Sequence, residues 1–245
     1  MELSLYTRAA EISEAHAKGK HVVVIDVLRA SSTIVQAYEN GVERILPVAT
    51  LEDAKKLLPT LDRKSALLGG EREGRKIEGF DLGNSPLEYT PEAVAGKTVI
   101  LSTSNGTVAI AGSAPAKEIA IACFLNLSAV VSYLVSARPK GIVVLCAGNV
   151  GQLAMEDVVC GGALVDGLER ASRARLAMND GAVAARALAA SMTDIGEVVR
   201  SSMHGRRLAE LGFEADLEFC ARIDAYSSVP IAADGRIAGR GAPRR

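Results

Sequence analysis

The stretch His21-Val-Val-Val-Ile-Asp26-Val-Leu-Arg29-Ala-Ser31-Ser32-Thr33 decides the fold. His21–Asp26 is an almost unbroken apolar run closed by a carboxylate, the pattern of a strand covered on both faces. Ser31–Asn40 then takes helical periodicity and stops at Gly41, a suitable C-cap. A covered strand feeding directly into a helix is the opening of a strand–helix–strand unit, and the rest of the chain repeats it. Arg44–Val48 reads as a strand and Leu51–Leu58 as a helix ended by Pro59. Ala66–Leu68, Thr98–Leu101, Glu118–Ala122 and Ile142–Cys146 read as further strands, with helices at Asn126–Ala137 and Ala154–Arg170. This alternation predicts a three-layer α/β/α fold with a largely parallel or mixed sheet.

Two stretches break the rhythm. Gly69–Pro91, rich in Gly, charge and turn formers, reads as a long functional connection. From about Ala171 the pattern is mostly helical, with Ser191–Gly205 as an irregular joint and Val229–Ala232 as the last strand. The basic tail Gly239–Arg245 is expected to fray. With no repeat and no clear linker, residues 1–245 read as one domain, any subdivision falling near 171–205.

Composition narrows the function. The chain has 245 residues, 49% of them hydrophobic, enough to bury a sizeable core. A net charge of -1 and the lack of Trp speak against a nucleic-acid partner. No apolar run approaches the ~18 residues of a membrane span, and Met1–Arg8 lacks the apolar centre of a secretory signal. The expectation is a cytoplasmic protein. Cys123, Cys146, Cys160 and Cys220 are too scattered for a zinc site and read as buried free thiols. Ala182–Ala190 is apolar enough for a homodimer face, or equally for the core.

The candidate chemistry lies where strands end. After Asp26 come Arg29, Ser31 and Ser32 at a helix start, where free N–H groups and the positive end of the helix dipole favour an anion. Ionised Asp26 accepts only, so it suits Mg²⁺, while Arg29 suits a phosphate. An N-cap serine beside an Asp–Arg pair explains the same residues structurally. Gly70-Glu71-Arg72 offers charge beside flexible backbone, or a solvated turn. Asn84-Ser85-Pro86 looks like a capped helix entry, with ligand binding by Asn84 and Ser85 as the sharper alternative. Thr103-Ser-Asn105-Gly106-Thr107 is a second small, hydroxylated strand end, either an anion cradle or a tight turn. A third strand end brings Gly148, followed by Glu156-Asp157 in the first turn of a helix. Adjacent helical residues point about 100° apart, so one of the two acids is expected to face the site. His204 opens another helix and suits proton transfer or binding.

Familiar phosphatase signatures are missing. The sixth residues after the cysteines are Ala129, Gln152, Asp166 and Tyr226, not the arginine a cysteine phosphatase needs. Leu28 stands where a haloacid-dehalogenase-type site has a second Asp, and Met203 where a histidine phosphatase has Arg. Walker A, GxGxxG and HExxH patterns are lacking as well.

Longer segments carry a resemblance. Val22–Thr33, Gly69–Pro86 (with GFDLGNSP), Ser102–Thr107 (STSNGT), Val144–Gly148 (VLCAG), Glu156-Asp157 and Ser201–Cys220 together resemble the 2-phosphosulfolactate phosphatase family, in family order along nearly the whole chain. Ser31 and Ser104 stand where the family is expected to carry Thr, and both keep the hydroxyl. The resemblance implies a Mg²⁺-dependent phosphatase acting on a small phosphorylated substrate, 2-phosphosulfolactate, on the way to coenzyme M. In that reading Asp26, Glu71, Glu156 and Asp157 provide the metal ligands, and Asp26, Arg29, Glu71 and His204 the catalytic set. Ser31, Ser32, Arg72, Asn84, Ser85, Thr103, Asn105, Gly106, Thr107 and Gly148 then bind substrate. A non-catalytic binding or regulatory protein for an anionic metabolite would keep Arg29 and the hydroxyl-rich loops but has no need of so many acids.

Overall fold

The computed structural model describes residues 1–172 and 175–240. Eleven strands are β1 (Glu2–Tyr6), β2 (His21–Ile25), β3 (Arg44–Pro47), β4 (Ala66–Arg72), β5 (Arg75–Lys76), β6 (Thr98–Ser102), β7 (Glu118–Ala122), β8 (Gly141–Cys146), β9 (Ala177–Met178), β10 (Val229–Ala233) and β11 (Arg236–Arg240). The helices are α1 (Glu14–Ala17), α2 (Ala30–Glu39), α3 (Leu51–Leu57), α4 (Pro91–Val94), α5 (Gly106–Gly112), α6 (Leu127–Ala137), α7 (Met155–Ser172), α8 (Asp180–Ser191), α9 (Ile195–Ser201), α10 (Met203–Glu210) and α11 (Glu214–Cys220). They form a three-layer α/β/α fold on one mixed sheet of order β5-β4-β6-β3-β11-β10-β7-β2-β8-β1-β9.

Strand direction is what shapes this molecule. β9, β1, β8, β2 and β7 are mutually parallel, and so are β4, β6 and β3. The antiparallel hairpin β10–β11 joins the two blocks, pairing antiparallel to β7 on one side and to β3 on the other. The blocks therefore run in opposite senses, and in a flat sheet their carboxyl ends would lie on opposite edges. Here they meet. A Cβ on Gly106, just past β6, would stand 2.6 Å from Oδ2 of Asp26, just past β2. The sheet is accordingly twisted and curled on itself, as right-handed strand twist accumulating over many strands permits.

The core follows this curl. Val22 and Val24 of β2 share one apolar cluster with Val99 and Leu101 of β6, together with Ile34 and Ala37 of α2 and Ala109 and Ile110 of α5. The opposite face of β2, Val23 and Ile25, packs with Val159 and Val165 of α7, Val130 of α6, Val199 of α9 and Leu208 of α10. Burial on both faces is why β2 reads as an apolar run without alternation.

Several boundaries differ from expectation. β4 continues through Gly69–Arg72, which had read as the start of a loop. The reason is crowding: a Cβ on Gly70 would lie 2.0 Å from the Ser102 carbonyl oxygen, and one on Gly69 2.3 Å from the Tyr89 hydroxyl. These glycines allow close approach inside a sheet. Glu73 and Gly74 both take positive φ, as a two-residue hairpin turn requires, and lead into β5. Ser191–Gly205 is mostly helix, with α9 and α10 abutting at Ser202, whose side chain accepts from the Gly205 N–H at 2.9 Å. β1, β5, β9 and β11 are additional strands. Gly239 and Arg240 belong to β11; the remainder of the expected frayed tail, 241–245, lies outside the described residues. Among the described residues no helix is long and apolar enough to cross a membrane.

Candidate active site

A cavity of about 620 Å³ opens where the carboxyl ends of the two blocks meet. Asp26 and Arg29 reach it from the β2–α2 turn, Glu71, Glu73 and Gly74 from the β4–β5 hairpin, and Asn84 from the following loop. Ser104 and Asn105 come from the β6–α5 loop, Asn149–Gly151 from the loop after β8, and His204, Arg207 and Leu208 from α10. Asp26, Arg29, Glu71, Asn84, Asn105 and His204, expected as site residues, are thus brought together across about 180 residues of chain.

Asp26 is buried at the floor. Its Oδ1 accepts from the Ala30 N–H at 3.1 Å, the free N–H of a helix start. Burial pushes its carboxyl up from 3.8 to about 6; nearby His204 and the Ala30 N–H draw it down, while Glu71 and Glu156 add to the rise. Gly106 belongs to the site by absence of a side chain, since a Cβ there would meet both Asp26 Oδ2 and, at 2.5 Å, the Ala30 methyl.

Arg29 is held rather than free. Its Nη1 bonds Asp216 Oδ2 at 2.6 Å, its Nη2 the Gly74 carbonyl at 2.7 Å, and its guanidinium lies 4.2 Å from the centre of the Phe213 ring. Arg29 and Asp216 side chains are 2% and 3% exposed, so this pair is taken out of water. Ser85 donates to the other oxygen of Asp216 at 2.6 Å, which spends the expected ligand-binding hydroxyl on the same network. Asp216 and Phe213 were not singled out in sequence. Their signal was the family-like segment Ser201–Cys220, which did not distinguish one acid from another.

The acids divide into two kinds. Glu71 accepts from the Gly74 N–H at 2.8 Å and the Ser104 N–H at 2.7 Å, tying the hairpin to the β6–α5 loop. Asp157 accepts from the Val27 N–H at 2.8 Å and the Gly148 N–H at 3.2 Å, tying the ends of β2 and β8. It does not line the cavity, and burial, with Glu156 and Asp26 nearby, holds its carboxyl well above the usual range. Glu156 is different: 1% exposed, its two oxygens have no hydrogen-bond partner, and the imidazole of His204 stands beside it with Nδ1 at 3.5 Å. It faces a smaller adjoining cavity of about 290 Å³ that shares Asn149 and His204 with the main one. The side-chain oxygen of Asn84 is likewise buried without a partner.

Among the described residues no group of three or more His, Cys, Asp or Glu stands at metal-holding spacing, so the four expected carboxylates do not form one cluster. Glu71 and Asp157 spend their oxygens on backbone N–H groups. Asp26 and Glu156 keep oxygens free, which fits a hard cation held by fewer protein ligands and more water.

Other expected binding residues turn inward. Ser31 accepts from the Asp26 N–H at 3.0 Å, and Ser32 donates to the Val27 carbonyl at 2.8 Å; both build the turn and do not line the cavity. Thr103 and Thr107 cap each other through reciprocal 3.0 Å bonds. Arg72 donates to the hydroxyl and carbonyl of Ser102 and does not line the cavity. Gly148 takes φ 71° where a Cβ would lie 2.4 Å from the Gln152 carbonyl. Each has the residue type of a ligand-binding loop but shapes the backbone that presents Asp26, Ser104, Asn105 and Asn149.

A family model described as 2-phosphosulpholactate phosphatase matches residues 6–235, which spans every element that lines the cavity. The chain belongs to the 2-phosphosulpholactate phosphatase family. Membership makes it a phosphoric monoester hydrolase. It is 41% identical over 231 residues to a protein of Caldanaerobacter subterraneus subsp. tengcongensis named "Probable 2-phosphosulfolactate phosphatase", covering 94% of this chain and 95% of the other. Proteins of the same name from Clostridium acetobutylicum (40% over 237 residues, 97% and 100% of the two chains) and Thermotoga maritima (44% over 216 residues, 87% and 89%) are similar along their length. The family reading thus covers α10 and α11, from which His204 and Asp216 come, as well as the strand ends.

Proposed function

We propose that this protein hydrolyses 2-phosphosulfolactate to 3-sulfolactate and phosphate with the help of Mg²⁺, in the cytoplasm. The observation that carries the reading is the meeting of Asp26, Arg29, Glu71 and His204 at one cavity in a chain of this family. The substrate comes from the names of the relatives and from what it asks of a site: several negative charges, and so N–H groups, cations and a hard metal.

Asp26 and Glu156 are the residues with carboxylate oxygens left for Mg²⁺. When bound there, the ion supplies neutralisation of charge developing on the phosphoryl oxygens. The chain's own residues do the rest. Ser104 and Asn105, at the start of α5, shape the wall against which the phosphate lies, with a helix N-terminus behind them. Arg29, clamped by Asp216 and Phe213, holds the β4–β5 turn against the cavity through the Gly74 carbonyl. With Nδ1 of His204 beside Glu156, Nε2 is left to hand its proton to the ester oxygen as the P–O bond breaks; water supplies the oxygen that ends on phosphorus.

The test is phosphate release from a panel of esters, with Mg²⁺ and with EDTA, alongside thermal unfolding. Mg²⁺ at about 100 times its dissociation constant should stabilise the wild type by about 2.7 kcal/mol and leave Asp26→Asn unmoved. Metal-independent turnover, or equal stabilisation of both proteins, would refute the metal assignment.

A further inference from the structure

The basic side chains at the cavity are not equivalent. Arg29 is spent on Asp216 and the Gly74 carbonyl. His204 sits against Glu156. Arg207 also lines the cavity, yet its charged contact is Glu210, three residues on in the same helix, with Nη1–Oε2 at 3.2 Å and both side chains more than half exposed. A solvent-exposed pair of that kind is worth little, so exchanging it for a ligand's anion costs little. Arg206, its neighbour, donates instead to the Ser201 carbonyl and does not line the main cavity.

Position adds to availability. His204, Arg207 and Leu208 occupy one face of α10, and that face is the one that lines the cavity. Residues three apart on a helix have Cβ atoms about 5–6 Å from one another. A group bonded to the carbon that bears the ester oxygen, or to its neighbour, therefore lies within an arginine's reach when the ester oxygen faces His204. α10 is fixed in place for this. Ser202 caps it, and Gly205 lets it press on α9 so closely that a Cβ would stand 1.8 Å from the Val199 carbonyl oxygen.

We infer that Arg207 is a specificity-determining residue that binds an anionic substituent of the leaving group, so that the enzyme selects phosphate monoesters of acidic alcohols over those of neutral ones. The inference rests on the hydrolase reading above and deepens it. In 2-phosphosulfolactate both the carboxylate and the sulfonate lie within two bonds of the carbon bearing the ester oxygen, and each is planar or tripodal enough for a guanidinium to take two oxygens.

The experiment compares wild type, Arg207→Gln and Arg206→Gln on 2-phosphosulfolactate, 2-phospholactate and phenyl phosphate, and measures the binding of 3-sulfolactate by calorimetry. Removing a hydrogen bond to a charged group is worth about tenfold to a hundredfold. In Arg207→Gln the preference for 2-phosphosulfolactate over phenyl phosphate should fall by that factor, through KM more than kcat, and 3-sulfolactate should bind correspondingly more weakly. Arg206→Gln should keep the wild-type preference. A matching fall for 2-phospholactate assigns Arg207 to the carboxylate; a fall confined to 2-phosphosulfolactate assigns it to the sulfonate. Equal losses on all three esters, or unchanged 3-sulfolactate binding, would overturn the inference. Wild-type protein that binds 3-sulfolactate through Arg207 and releases phosphate from 2-phospholactate, but not from 2-phosphosulfolactate, would sink the proposed substrate and leave the role of Arg207 standing.

Discussion

Replacing Asp26 by Asn should make the protein inactive and, in EDTA, more stable. The folded carboxyl sits at about 6 against an ordinary 3.8, chiefly because it is buried. A group raised in this way binds its proton more tightly when folded, so its contribution to stability is complete below pH 3.8 and is lost as pH rises through 6. At about 1.4 kcal/mol for each unit of pKa, ionising Asp26 in the folded metal-free protein costs about 3 kcal/mol. Asn keeps the Oδ1 that accepts from Ala30 and carries no charge to desolvate. At about pH 8 the variant should gain close to that amount, a rise in Tm of roughly 6–12 °C for a chain of this length. Near pH 4 the two proteins should unfold together, because Asp26 is then protonated in the wild type. Urea titrations at the two pH values give the free energies directly. A variant less stable than wild type at about pH 8, or a gap that does not close near pH 4, would refute the account of Asp26 as a buried charge tolerated for function.

Four other substitutions probe the frame. Asp216→Ala leaves Arg29 buried without its partner and should cost roughly 3–5 kcal/mol, read as a lower urea midpoint. Gly106→Ala pushes a methyl into Asp26 and Ala30 and should abolish phosphate release even where circular dichroism shows the fold retained. Gly162→Ala should destabilise by several kcal/mol, since its Cβ would lie 2.0 Å from the Ala185 carbonyl where α7 crosses α8. Val150→Asn should raise stability by about 1 kcal/mol: Val150 is 83% exposed and holds φ 49° beside Gly151 in a tight turn, a conformation Asn adopts at less cost than a β-branched residue. A lower melting temperature for Val150→Asn would contradict that reading of the turn.

Residue order alone determined much of this protein. β2, buried on both faces, is legible because desolvation on both sides leaves no room for polar residues, and the strand-then-helix rhythm follows from it. Asp26, Glu71, Asn84, Asn105 and His204 stood out as candidates because they are polar residues next to apolar elements, but Ser31, Thr103 and Thr107 stood out in the same way, and only the structure shows which of them line the cavity. What residue order did not carry is direction. Two parallel blocks of opposite sense, joined by β10 and β11, look the same in sequence as one continuous parallel sheet, because strand pairing is a contact between distant segments. Only the curl of the sheet brings Gly106 against Asp26. Hydrogen-bond allotment was hidden for the same reason. Nothing near Arg29 in sequence says that Asp216, 187 residues away, will claim it, or that Ser31, Thr103 and Thr107 will turn inward while Arg207 keeps only a solvent-exposed pair with Glu210. Residue types set which chemistry was available; the geometry of burial decided which groups were already spent.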